Sequence, residues 1–259
     1  MRAERLSASS YSNTAPLIWS FIYGQNRGKY ELILDNAPAR SAELLAQDKV
    51  DFALVPIVAY QEIEGVKLVS DVCIGARQSV GSVCIITNGC ELQNARKVAL
   101  DISSKTSAVL TKIIFLEFLG FEPEWMVFKP DPKEMLEKAD AALIIGDPAL
   151  MIQDCKKFDL AKLWHDFTGL GFVFAMWMTK RDSCSIDFAS ARDEGLEHLE
   201  EIVSNYQGIG LSREEFISYL ENIAYEVEDS MLKGLELYFR LARKHGFTSR
   251  NRRIEFIGM

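Results

Sequence analysis

The first 150 residues alternate short apolar runs with helix-like segments, and this alternation constrains the fold more than any other feature. The apolar runs that are typical of strands lie at 31–34, 51–55, 66–70, 83–87, 97–100, 126–128 and 141–145. Helix patterns fall between them, such as the one that begins at Asn36 and Pro38. Alternation of this kind predicts an α/β fold with a mostly parallel sheet flanked by helices. The run from Arg5 to Ala8 is too short and too early to predict a core strand by itself.

Two further runs suggest how the chain divides. The run at 171–178 is too aromatic for a plain edge strand, and we interpret it as a return crossing between two lobes, with 83–87 as the outward crossing. The rest of the chain has helical patterns, including a capping box from Ser212 to Glu215. No repeat, low-complexity block or Gly/Ser linker separates domains, which favours lobes joined by paired strands. The predicted bounds are residues 1–86 and 175–259 for lobe I and residues 87–174 for lobe II.

Composition excludes some classes of function. Of the 259 residues 48% are hydrophobic, enough for a substantial core, and the net charge is −8. Nucleic-acid binding needs clustered basic residues, and the only obvious cluster, Arg250, Arg252 and Arg253, is interpreted as a solvated terminus. No apolar run is long enough for a membrane span, and the charged residues at 1–6 precede no apolar signal segment. We therefore expect a cytoplasmic protein that binds neither nucleic acid nor membrane.

The cysteine and histidine patterns give little support for metal or nucleophilic chemistry. The three histidines, His165, His198 and His245, are far apart in helical contexts, which argues against a histidine metal site or a Ser-His-Asp triad. Neither a dinucleotide fingerprint nor a phosphate-binding loop is present, so we expect no cofactor and no metal. An odd number of irregularly spaced cysteines predicts free, buried thiols at Cys73, Cys84, Cys90, Cys155 and Cys184.

Two polar turns are candidate ligand sites. The first runs from Ser9 to Leu17, between a short apolar run and a helix whose first turn suits Pro16. The second runs from Asp101 to Ser107, ahead of an apolar helix predicted at 108–119. Backbone N–H groups and hydroxyls at a buried helix N-terminus, helped by Lys105, favour binding of a carboxylate or phosphate. The alternative for both turns is that the polar side chains only cap their helices.

A third turn, Gly146-Asp147-Pro148, follows the apolar run at 141–145. In open α/β sheets ligands bind beyond the carboxyl ends of the strands, so Asp147 is a cleft candidate. The role we favour for it is the N-cap of a short helix that begins at Pro148.

Six motifs follow one another in register over residues 5–180. They are 10–17, 51–56, 73–76 with 82–83, 101–107, 145–150, and 167–170 leading to 172–175. Together they resemble the motif series of the chorismate dehydratase family, the first enzymes of the futalosine route to menaquinone, and the helical end resembles the family only in pattern. The resemblance implies a periplasmic-binding-protein-like type II fold, with two lobes that each hold a mixed sheet flanked by helices and that are joined by two crossing strands. It also implies conversion of chorismate, a small dicarboxylate, to 3-(1-carboxyvinyloxy)benzoate and water.

The resemblance places the functional Asn and Ser of the family at Asn13 and Ser82. With the polar turns, it gives a set of candidate substrate-binding residues: Ser10, Tyr11, Thr14, Pro56, Ser103, Ser104, Thr106, Ser107, Gly146 and Asp147. Because Asn13 and Ser82 do not titrate, we hypothesise that they orient the substrate and that the enolpyruvyl carboxylate of the substrate itself removes the proton. Asp147 is the rival base.

Two other functions fit the same resemblance less well. The related 1,4-dihydroxy-6-naphthoate synthase of the pathway shares the fold but calls for a catalytic histidine in the cleft, and no histidine lies in a cleft motif. A non-catalytic solute-binding protein would have to be exported, and neither a signal segment nor a lipid-attachment cysteine is recognisable.

Overall fold

Two five-stranded sheets flanked by helices make up the fold in the computed structural model, which describes residues 3–35, 38–206 and 209–257. The strands in these residues are β1 (Arg5–Ser9), β2 (Glu31–Asp35), β3 (Phe52–Pro56), β4 (Lys67–Ala76), β5 (Val83–Thr87), β6 (Lys97–Asp101), β7 (Glu124–Phe128), β8 (Ala141–Ile145), β9 (Lys156–Asp159) and β10 (Phe172–Thr179). The first sheet has the order β2-β1-β3-β10-β4, and the second has the order β7-β6-β8-β5-β9.

Both sheets are mixed, as the resemblance implied, and in each sheet four of the five strands run in one direction. In the first sheet β1 runs parallel to β2 and β3, while β10 runs antiparallel to β3 and β4. In the second sheet β6 runs parallel to β7 and β8, while β5 runs antiparallel to β8 and β9. One strand in each sheet, β10 in the first and β5 in the second, therefore runs antiparallel to its neighbours, whereas successive βα units produce parallel strands.

The run from Arg5 to Ala8 was not expected to be a core strand by itself, but it belongs to β1, which is one. Leu6, Ser7 and Ala8 are fully buried. The strand lies between β2 and β3, and its register pairs Leu6 with Leu32 on one side and with Phe52 on the other. A strand that is paired along both edges in this way is stabilised by its neighbours, so five residues are sufficient.

The connections between the sheets are short. The chain leaves the first sheet at the end of β4 and returns to it at the start of β10, through residues 77–82 and 169–171. Strand β5 belongs to the second sheet and β10 to the first, and each pairs with neighbours along its length. The lobe bounds between residues 86 and 87 and between 174 and 175 stay a prediction.

The helices follow the sequence patterns closely in the later part of the chain. In the described residues they are α1 (Ala15–Ile22), α2 (Pro38–Ala46), α3 (Ala59–Glu62), α4 (Lys105–Ile113), α5 (Pro132–Lys138), α6 (Asp147–Met151), α7 (Leu160–Thr168), α8 (Phe188–Glu197), α9 (Leu199–Asn205), α10 (Arg213–Asn222) and α11 (Asp229–Lys244). The predicted capping box is confirmed, since Ser212 and Glu215 bond each other reciprocally at the start of α10. None of these helices is both long and apolar enough to cross a bilayer.

The interpretation of the C-terminal arginines as solvated holds for Arg250 and Arg253, which are exposed, but not for Arg252. Arg252 donates to the backbone oxygens of Tyr60, Ile63 and Val66 at 3.0–3.2 Å. Its guanidinium also lies 4.7 Å from the centre of the Tyr60 ring. Arg252 therefore holds the end of the chain against the loop after α3.

The cysteines are free thiols, as predicted, but only two of them are buried. Cys73 and Cys84 are at most 2% exposed, while Cys90, Cys155 and Cys184 are half-buried. Burial raises the pKa of the Cys84 thiol to about 12 and that of the Cys73 thiol further. The two buried thiols are therefore protonated core side chains.

Candidate functional site

The two polar turns meet in one cavity between the sheets, with about 570 Å³ of empty volume, part of it open to solvent. Nine of the predicted site residues line it: Tyr11, Asn13, Thr14, Pro56, Ser103, Ser104, Thr106, Ser107 and Gly146. Eight further lining residues were not among the predicted candidates, and they come from strands and from the start of one helix: Ser9, Leu54, Ile74, Val83, Lys105, Ile145, Phe174 and Ala175. The predicted residues Ser10, Ser82 and Asp147 lie outside this lining.

The first wall is a tight turn after β1. Residues Ser12–Thr14 form one turn of 3-10 helix, which leads directly into α1 with Pro16 in its first turn. The Thr14 N–H donates to the Tyr11 carbonyl at 2.9 Å. Neither N-cap residue, Tyr11 or Thr14, bonds the helix through its side chain, so simple capping does not explain these polar residues. The Thr14 hydroxyl lies 3.0 Å from the Ser9 hydroxyl instead, and Asn13 faces the cavity.

The second wall is the N-terminus of α4. This helix begins at Lys105, three residues earlier than predicted, which places Thr106 and Ser107 in its first turn. The N-cap residue Ser104 makes no side-chain cap bond, so capping does not account for its hydroxyl either. The first N–H groups of an α-helix have no acceptor within the helix, and its dipole makes this end positive. Donors and positive potential therefore face the cavity together.

Asp101 organises the loop ahead of α4. Its Oδ1 accepts from the backbone N–H and the hydroxyl of Ser103 at 2.8 and 2.6 Å. Its Oδ2 is buried without a partner in the described residues. Burial raises the pKa of this carboxyl, and the two bonds from Ser103 offset only part of that effect.

Tyr11 reaches from the first wall to the turn after β8. A Cβ at Gly146 would lie 3.4 Å from three atoms of the Tyr11 ring, so the ring packs directly on the Gly146 backbone. Gly146 has φ +67° and ψ −152°, a conformation that is almost restricted to glycine. Burial, and next the charge of Asp101, raise the pKa of the Tyr11 hydroxyl. Tyr11 is therefore a neutral side chain in the lining of the cavity.

Asp147 does not have the role that we favoured from the sequence. The N-cap of α6 is Gly146, and Asp147 is the first residue of the helix. Its carboxylate accepts from the Ser12 N–H at 3.3 and 3.4 Å and from the Ser12 hydroxyl. Burial raises the pKa of Asp147, while the bonds from Ser12 lower it in part. The carboxylate thus joins the turn after β1 to the turn after β8.

Ser82 lies behind the cavity wall. It is fully buried, and its Oγ has no hydrogen-bond partner among the described residues. Its carbonyl accepts from the Gly146 N–H at 2.7 Å. The Tyr219 hydroxyl lies near the hydroxyls of Ser82 and Ser12 without a hydrogen bond of good geometry to either. The roles of Asn13 and Ser82 as the functional pair stay predictions.

The charge of the cavity is carried by one lysine. Among the described lining residues Lys105 alone has a full positive charge. Its Nζ lies 3.2 Å from Glu62, and both side chains are about 45% exposed, so the pair is weak. None of the three histidines is in the described lining, and no group of three or more His, Cys, Asp or Glu side chains in the described part of the chain could hold a metal. The donors are hydroxyl, amide and backbone N–H groups, which suit a small anion.

A family model described as "Menaquinone biosynthesis" matches residues 4–244. The chain belongs to this menaquinone-biosynthesis family. A family relative with the curated name "Chorismate dehydratase", from Thermus thermophilus, is 27% identical over 264 aligned residues, covering 92% of this chain and 94% of that protein.

Solved structures share the fold of this family member at low identity. A protein of Archaeoglobus fulgidus has a TM-score of 0.71 at 14% identity, covering 94% of this chain and 97% of that one. The periplasmic aliphatic sulphonate binding protein of Escherichia coli has a TM-score of 0.69 at 14% identity, covering 100% and 95%. The predicted periplasmic-binding-protein-like fold is therefore confirmed.

Proposed function

We propose that this protein is a hydro-lyase that converts chorismate to 3-(1-carboxyvinyloxy)benzoate and water, and that it acts in the cytoplasm. The observation that carries the proposal is the convergence of two turns, about 90 residues apart in the chain, on one cavity lined by Asn13 and Thr106. Membership of the menaquinone-biosynthesis family and the named relative support the same reaction.

One wall of the cavity suits a carboxylate of chorismate. One carboxylate would take the N–H groups and hydroxyls of Thr106 and Ser107 at the start of α4, where the helix dipole favours negative charge. Lys105 adds a charge at the same end. The Thr106 hydroxyl already accepts from the Val58 N–H at 3.3 Å, so a carboxylate bound here would rest on a wall that is fixed from the opposite sheet.

The chemistry requires one proton removed and one hydroxyl expelled. The C–H bond breaks at the ring carbon bearing the enolpyruvyl ether, and its electrons form the new ring double bond as the C–O bond to the neighbouring hydroxyl breaks. The removed proton and the departing hydroxide together make the water, and the ring becomes aromatic. Asn13 faces this space as a donor and acceptor that does not titrate.

The base in this proposal is the enolpyruvyl carboxylate of the substrate. Asp147, the rival, directs its carboxylate to Ser12 and is not among the described lining residues. Holding a substrate carboxylate close to the proton that it removes makes the step intramolecular, which lowers the entropic part of the barrier. We assign Asp147 to holding the two turns together, and Ser82 to the wall behind Gly146.

A non-catalytic solute-binding protein is the second candidate, favoured by the likeness to the sulphonate-binding protein. The naphthoate synthase alternative has less support, because no histidine is among the described residues that line the cavity.

Incubating the purified protein with chorismate, and analysing the mixture by liquid chromatography and mass spectrometry, tests the proposal. We expect loss of water from chorismate and formation of the enolpyruvyl benzoate. Asn13→Ala should remove most of the activity, while Asn94→Ala, an exposed asparagine outside the cavity, should not. Binding of chorismate by calorimetry without any product would favour the binding protein instead, and neither binding nor product would refute both.

A further inference from the structure

Three tyrosines from the C-terminal part of the chain surround the turn that carries Asn13. The Tyr206 hydroxyl donates to the Ser10 carbonyl at 3.4 Å, and the Tyr225 hydroxyl donates to the Asn13 carbonyl at 3.0 Å. The Tyr219 hydroxyl lies near the Ser12 side chain. We call Tyr206, Tyr219 and Tyr225 the tyrosine clamp. The shorter of the two hydrogen bonds is the one from Tyr225 to Asn13, the residue that faces the cavity.

Tyr225 is held in place by the first sheet. The backbone of its segment extends the sheet along β4, since the Cys73 N–H donates to the Tyr225 carbonyl at 3.1 Å. The neighbouring residue Ala224 exchanges two backbone hydrogen bonds with Gly75, at 2.9 and 3.0 Å. The ring is 4% exposed. A buried side chain on a registered backbone has few alternative rotamers, so its hydroxyl is a fixed point.

The Tyr225 hydroxyl is a permanent donor. Burial raises the pKa of Tyr225 well above its usual value, and the neighbouring Tyr219 and Tyr206 add to the effect. The hydroxyl therefore stays protonated, and its hydrogen points at the Asn13 carbonyl. Because the clamp is neutral, it fixes the turn without placing a charge beside the cavity.

We propose that Tyr225 is a positioning residue for Asn13. By fixing the backbone carbonyl of Asn13 it sets the direction in which the Asn13 amide enters the cavity. The inference rests on the proposed function for its effect on rate, but not for its effect on the turn itself. It also gives a role in the site to the segment after α10, where the sequence resembles the family only in pattern.

A second buried tyrosine supplies a control that is at least as severe. The Tyr60 hydroxyl also donates to a backbone carbonyl, that of Arg253 at 2.6 Å, and its ring is fully buried. Tyr60 does not line the cavity. The Tyr60 hydroxyl also accepts from the Glu255 N–H at 2.9 Å, so Tyr60→Phe removes two hydrogen bonds and Tyr225→Phe removes one. Tyr60→Phe should therefore lose at least as much stability as Tyr225→Phe, without an effect on Asn13.

The experiment compares Tyr225→Phe with Tyr60→Phe in the full chain. A misdirected transition-state contact lowers kcat more than it raises KM. We therefore expect Tyr225→Phe to reduce kcat with chorismate by about tenfold, with KM changed by less than about twofold. Tyr60→Phe should leave kcat within about twofold of the wild type. Hydrogen–deuterium exchange of the peptide containing residues 11–14 should be faster in Tyr225→Phe and unchanged in Tyr60→Phe.

The outcomes separate this inference from the proposed function. A wild type that consumes chorismate, beside a Tyr225→Phe variant with normal kcat and normal exchange at residues 11–14, overturns the inference alone. An inactive wild type refutes the proposed function, and the exchange comparison then decides whether Tyr225 holds the turn. Equal effects of the two variants on both measurements would mean that Tyr225 contributes only stability, which also overturns the inference.

Discussion

Replacing Asp147 with asparagine tests whether this carboxylate removes the proton or holds two turns together. In the structure it accepts from the Ser12 N–H at 3.3 and 3.4 Å and from the Ser12 hydroxyl. Asparagine has almost the same shape and keeps one oxygen as an acceptor for these donors. The contact should therefore survive in Asp147→Asn without its charge.

The size of the expected effect follows from that contact. A hydrogen bond to a charged group contributes about 1.5–3 kcal/mol, and a neutral one contributes about 0.5–1.5 kcal/mol. Asp147 is partly buried, and the two long bonds from the Ser12 N–H are weak, so the lost charge should cost about 1 kcal/mol. If all of this loss fell on the transition state, kcat would drop about fivefold. Loss of a general base costs about 10²–10⁴-fold, so the two roles are separable.

The assay measures kcat and KM for chorismate in Asp147→Asn, in Asn13→Ala and in a control, Asp154→Asn, which changes an exposed carboxylate outside the cavity. We expect Asp154→Asn to match the wild type and Asp147→Asn to keep at least about a tenth of the wild-type kcat. Asn13→Ala should lose a much larger part of the wild-type kcat. Abolished turnover in Asp147→Asn with chorismate binding intact, beside nearly normal Asn13→Ala, would refute the substrate-assisted mechanism.

Two further predictions concern stability. Gly146→Ala should cost about 1–3 kcal/mol, because φ +67° with ψ −152° suits only glycine. Urea unfolding checks this against Gly120→Ala, where φ +77° and ψ 20° lie in the left-handed helical region and nothing lies within 4 Å. An equal or smaller loss at Gly146 would contradict the strain assigned to its backbone. Burial raises the pKa of Asp101 in the folded protein. Its contribution to the free energy of unfolding is therefore fully present below the usual carboxyl pKa and is lost as the pH rises through the raised value. Asp101→Asn should lack this part of the pH dependence when the free energy of unfolding is measured in urea at a series of pH values above the usual carboxyl pKa. A difference from the wild type that does not change with pH would contradict this prediction.

Much of the fold could be predicted where burial alone determines the pattern. Strands β5 and β8 match the predicted runs residue for residue, because continuous apolar runs mark strands that are buried on both faces. Strand β9 was not predicted, since its Lys156 and Lys157 are exposed and it forms by pairing with β5 at the sheet edge. Strand β1 was not predicted as a core strand, because its run is short and its burial depends on pairing with β2 and β3.

The candidate site was predictable in part for a related reason. Polar residues directly after apolar strands marked both walls of the cavity, and nine of the predicted residues line it. The contact of Asp147 with Ser12 and that of Tyr225 with Asn13 join residues 135 and 212 positions apart. No local pattern encodes such pairs, so the sequence suggested a helix cap for Asp147 and gave no signal for Tyr225.

The strand order of the first sheet has a consequence for how the chain assembles on the ribosome. Strand β10 lies between β3 and β4, so this sheet lacks an inner strand until residues 172–179 have been synthesised. The strands of the second sheet all come earlier, between Val83 and Asp159. The second sheet can therefore form first, although its strands begin later in the chain. Until β10 has been synthesised, the edges of β3 and β4 that face it stay unpaired. A nascent chain at that stage exposes unpaired strand edges, which can pair wrongly with other chains or be bound by chaperones.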